Sequence, residues 1–142
     1  MSVLTQIAQA VTDELNAGEF SQEFAAERAY QPLFELPDMK TLHVTVIASG
    51  ITIHRASRGL IQHDYRIEIG VQKKFAKDDA TELDPLMDLV EEVADFLRAT
   101  RLAAVSRAPC VRIENEPIYS QDHMEQFRQF TSVLTLTYRL SR

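Results

Sequence analysis

From Leu42 onward, apolar residues fall at every second position. Leu42, Val44, Val46 and Ala48 share one face, and His43, Thr45 and Ile47 share the other. This is the two-residue period of an extended strand. The Ser49-Gly50 pair predicts a turn, with residues 51–55 returning as a partner strand. Residues 56–59 (ASRG) form a polar loop, and Ile61 leads into a longer strand. There Tyr65, Ile67, Ile69 and Val71 point one way, and Arg66, Glu68 and Gln72 the other. One side of this sheet is core and one is polar, the usual antiparallel pattern. A second strong alternation lies in residues 127–140. It sets Ser132, Leu134, Leu136, Tyr138 and Leu140 against Thr131, Val133, Thr135 and Thr137.

Two stretches have helical spacing instead. In residues 2–16, Leu4, Ile7, Ala8, Val11 and Leu15 make one apolar face. Ser2 is placed to cap this helix, and Gly18 stands where a left-handed C-terminal residue is wanted. The second helix is expected to open with Asp84 as N-cap and Pro85 in the first position, and to end near Ala99. Leu83, Leu86, Met87, Val90, Val93, Ala94 and Leu97 form its core stripe, and Glu91, Glu92 and Asp95 its wet face. Leu89 and Phe96 widen the stripe, which means either deep burial or contact with a second subunit.

The remaining pieces extend the sheet. Residues 22–31 alternate as a strand does, although their alanines would also suit a helix, and a strand is expected there. Pro32 and Pro37 bracket a short extended piece suited to a sheet edge. Residues 73–82 are a charged connection, and residues 110–113 make a short strand that ends at the ENEP run. The sum is a single α+β domain over residues 1–142: a mainly antiparallel sheet with two helices packed on one face.

Composition narrows the function classes. A length of 142 residues suits one domain. A net charge of −6 argues against a dedicated nucleic-acid binder. No apolar run is long enough for a membrane span. The N-terminal stretch carries Asp13 and Glu14 and lacks the basic region of a signal peptide. A single cysteine, Cys110, leaves no internal disulfide and fits a reducing compartment.

Candidate reactive groups are few. His43, His54, His63 and His123 have no metal-ligand spacing, and four glycines supply no phosphate-cradling loop. Cys110 with a histidine is the one conceivable nucleophile pair. A small hydrolytic or ligand-binding domain is therefore the competing reading. Nothing calls for a metal or cofactor. Charge is uneven along the chain: Arg55, Arg58, Arg66, Lys73 and Lys74 lie in the organising sheet, and acids gather in the second helix and residues 78–82. Such asymmetry serves solubility, or it fits head-to-tail pairing of subunits.

Set side by side, the SVLTQIAQAVTDELNAG helix, the AERAYQPLFEL segment, YRIEIGVQKKF followed by LDPLMDLVEEVADFL, and the closing FTSVLTLTYRL strand resemble the tail-terminator and tail-completion (neck) proteins of tailed bacteriophages. The resemblance runs over nearly the whole chain, through structural patterns and no catalytic signature. It implies a structural virion protein, assembled in the bacterial host cytoplasm and located at the tail or neck. Such a protein caps the tail tube as a homohexameric ring, ends tail polymerisation and offers a surface for head joining. Its implied partners are copies of itself, the tail tube protein and a head–tail connector protein. A connector role is the nearest alternative. Arg55, Arg58, Leu89 and Phe96 are the candidate residues for the subunit or tail-tube interface.

Overall fold

The computed structural model describes residues 1–31, 41–76 and 80–142. Along the chain run α1 (Val3–Ala17), β1 (Ala26–Ala29), β2 (His43–Ser57), β3 (Leu60–Lys74), α2 (Ala80–Ala99), a 3-10 turn (Ala103–Val105), β4 (Cys110–Asn115), α3 (Gln121–Phe127) and β5 (Gln129–Ser141). Among the described residues the strands form one sheet in the order β1-β2-β3-β5-β4. The β1–β2 pair is parallel and the other pairs are antiparallel. The architecture is α+β. The piece between Pro32 and Pro37 lies outside the described residues.

Register explains the core. Val44 pairs with Val71, Val46 with Ile69, Ile67 with Leu136, and Tyr65 with Tyr138. All of these side chains are buried on the face that α1 and α2 cover. From α1 come Ile7, Val11 and Leu15; from α2 come Leu86, Leu89, Val90, Val93 and Leu97. Each such side chain removed from water contributes roughly 1.5–3 kcal/mol. Tyr138 is an exception inside this core. Its hydroxyl is buried with no hydrogen-bond partner among the described residues, and burial raises its pKa far above the ordinary value. A buried unpaired hydroxyl costs about 1–3 kcal/mol, so Tyr138→Phe is expected to raise the urea midpoint by an equivalent amount. A lowered midpoint would contradict this.

Several sequence expectations change here. Ser49-Gly50 makes no turn, because β2 runs straight through it. The register jumps between Ala48 and Gly50, as a β-bulge requires. Ser49 Oγ donates to the carbonyl of Arg66 at 3.2 Å and accepts from its Nε at 3.3 Å. The hairpin turn falls instead at Arg58 and Gly59, where Gly59 takes φ +82°. Residues 51–55 therefore continue β2.

Gly18 is not left-handed; its φ is −80° and ψ 164°. A side chain there would approach the rings of Phe20 and Phe96 to 3.0 Å, so this glycine makes room for aromatic packing. Ser2 does cap α1, accepting from Thr5 N at 3.1 Å. α2 starts at Ala80, with Pro85 inside it. So near the helix start, the missing proline N–H removes only one early rung of the ladder. Glu92 is not simply solvated: it accepts from the backbone N–H of Ser21 at 2.9 Å and from its hydroxyl.

The sequence reading holds no counterpart of α3. Ser120 caps it, and His123 Nδ1 lies 2.7 Å from Thr131 Oγ1. That contact places α3 over the opposite sheet face, which leaves Thr131 and Gln72 buried there.

Candidate interaction surface

β2 and β3 stay paired well past the helices. Ile51 pairs with Tyr65, Ile53 with His63, and Arg55 with Ile61. By strand alternation, Ile51, Ile53, Arg55 and Ile61 share the face that is core further down. Here, however, Ile51 is 47% exposed and Ile53 58%, and Leu60 and Ile61 are exposed as well. β1 pairs with β2 only at residues 44–47, so among the described residues no strand covers the outer edge of β2 along this arm. Large apolar side chains gathered in water make this arm a candidate interaction surface.

The other face of the arm is tied down at its base. Arg139 donates to both carboxylate oxygens of Asp64, Nε at 2.9 Å and the terminal nitrogen at 3.1 Å. This bidentate pair joins β5 to β3. With its amide oxygen turned inward, Gln62 accepts from His54 at 2.8 Å and from Arg139 at 3.1 Å. The hydrogen bonds from Arg139 hold the Asp64 carboxyl below its ordinary pKa, against the opposing effect of burial. A depressed carboxyl pKa contributes stability that is present above the unfolded value and is lost as pH falls through the folded one. The urea midpoint is therefore expected to drop from about pH 5 downward, and Asp64→Asn to remove part of that slope. The effect is modest because the guanidinium faces solvent. An unchanged slope in the variant would contradict the assignment.

The residues singled out from sequence do not converge. Arg55 stands on the exposed apolar face of the arm and Arg58 in its turn. Leu89 is 0% exposed and belongs to the chain's own core, so it cannot touch a partner. Phe96 is half-buried, its ring edge-on to Phe20 at 5.2 Å between centroids. The exposed apolar residues of the arm, Ile51, Ile53, Leu60 and Ile61, are not among them. Their signal was the continuation of strand alternation beyond the stretch the helices can cover.

The histidines are dispersed. His43 lies at the start of β2, and His54 and His63 lie on opposite faces of the arm. His123 is on α3. Cys110 pairs in register with Tyr138, and its thiol sits 3.6 Å from the carbonyl oxygen of Arg112. Burial raises its pKa and keeps the thiol protonated, the opposite of an activated nucleophile. Among the described residues no group of three or more His, Cys, Asp and Glu is placed to hold a metal ion. No described helix is long and apolar enough to cross a membrane.

No family model and no curated protein matches this sequence. Solved structures do match. A sheath/tube terminator of an extracellular contractile injection system, in its extended state, aligns with all of this chain at 15% identity and a TM-score of 0.54. This chain spans 57% of that one's length. A chain of the virion of a native gene transfer agent particle aligns over 99% of this chain and 98% of its own length. Its identity is 14% and its TM-score 0.61. At such identities the likeness is one of fold. The chain shares its fold with a sheath/tube terminator of a contractile injection system and with a chain of a gene transfer agent particle, which supports the resemblance to tail terminators carried by its sequence.

Proposed function

We propose that this protein is a structural component of a phage tail or tail-like particle. It caps the end of the tail tube as a homohexameric ring, stops tube polymerisation and presents the surface to which a head connector joins. The observation that carries this reading is the match of the whole of this chain's fold to 57% of the length of a sheath/tube terminator. The site geometry is consistent with it. The arm offers exposed apolar and cationic side chains suited to association, while Cys110 and the histidines assemble no reactive set. The action is steric: a ring bound to the last tube layer leaves no free edge for the next. Partners are then copies of this chain, the tube protein and a connector protein, at the tail or neck of the virion. Removal of the gene followed by electron microscopy of the particles tests this reading.

A further inference from the structure

A groove of about 500 Å³ lies between α2 and the strands β4 and β5. Val90, Ala94 and Leu134 form its apolar part, with exposed Met87 and Ile118 beside them. Asp84, Asp88 and Glu91 rim it. All three acids are exposed and take part in no hydrogen bond or ion pair among the described residues. The arm is its chemical complement: exposed Ile51 and Ile53 next to Arg55, with Arg58 in the turn.

We propose that the β2–β3 arm of one copy docks in the α2–β5 groove of the next copy. Charge complementarity selects the occupant. An apolar strip flanked by two arginines meets an apolar trough rimmed by three acids, and such matching sets register as well as attraction. A chain cannot fill its own groove. Leu134 of the groove pairs with Ile69, and Arg55 of the arm pairs with Ile61. Eight residues of β3 separate those levels, roughly 26 Å of extended strand, and the arm points away. The two surfaces are different patches of one molecule, so the contact is heterologous and its repetition gives a ring or a filament. The inference rests on the reading of the chain as a ring former and assigns that ring its interface.

The test uses disulfide capture in a Cys110→Ala background. Chains carrying Ile53→Cys and Met87→Cys are mixed and oxidised, both purified at high concentration and in particle-forming lysate. The expected result is a cross-linked heterodimer, and a ladder of oligomers when one chain carries both cysteines. Arg55→Glu with Arg58→Glu should lower the yield at low salt by about tenfold or more, and Asp84→Arg with Asp88→Arg should restore it. A yield no higher than that of a control pair with Asp13→Cys in place of Met87→Cys overturns the proposal. Capture of a different particle protein by Ile53→Cys overturns it too. Cross-linking together with normal tails after gene removal would support the interface and sink the tail reading. Abnormal tails without cross-linking would do the reverse.

Discussion

Leu89→Ala is expected to destabilise the isolated chain by about 2–5 kcal/mol, the usual cost of emptying a leucine site in a packed core. Leu89 is wholly buried within the cluster that joins α2 to the sheet. At about 2–4 °C per kcal/mol for a chain of this size, the melting temperature should fall by roughly 5–15 °C. Total stabilities run to only about 5–15 kcal/mol, so this one change removes a large share. The loss should be the same at every protein concentration, because every neighbour of Leu89 belongs to its own chain. Met87→Ala, on the exposed side of the same helix, should cost far less. A Leu89→Ala loss that grew on dilution would show instead that a partner subunit completes the site.

That contrast shows what the sequence could and could not convey about α2. Periodicity put Leu83, Leu86, Met87, Val90, Val93, Ala94 and Leu97 on one stripe; Leu86, Val90, Val93 and Leu97 are buried, Leu83 and Ala94 half-buried, and Met87 is exposed. It could not fix where the stripe ends, because that depends on what lies opposite. On one border Leu89 is buried in the core cluster, while on the other Met87 lines the groove. Phe96 was ambiguous for the same reason. Its partner, Phe20, lies in a stretch with no regular period, and Gly18 leaves room for both rings.

The Ser49-Gly50 reading failed in a more instructive way. A serine–glycine pair between apolar runs signals a turn or a bulge equally well. The discriminating signal is parity. Core positions are even-numbered from Leu42 to Ala48, and the same face is odd-numbered at Ile51 and Ile53. One inserted residue produces that switch. The bulge sends β2 onward as one edge of an arm, and the arm carries the exposed side chains on which the association argument depends. α3 was hidden because it is short and closes on Arg128, which takes φ 50° where glycine is the usual signal. Pro85 misled because its preference for first positions is only statistical. The flat sheet faces, by contrast, followed from alternation alone, since a two-residue period assigns each side chain to a face without tertiary knowledge.

If this chain ends tail growth as proposed, tail length measures it directly. Electron micrographs of particles made without this gene should show tails well beyond normal length, lacking heads, because nothing blocks the last tube layer from adding another. Restoring the gene should return one sharp length. Free tails of normal length beside filled heads would contradict termination and assign the chain to head–tail joining instead. Intact particles of normal length would contradict any structural role in the tail.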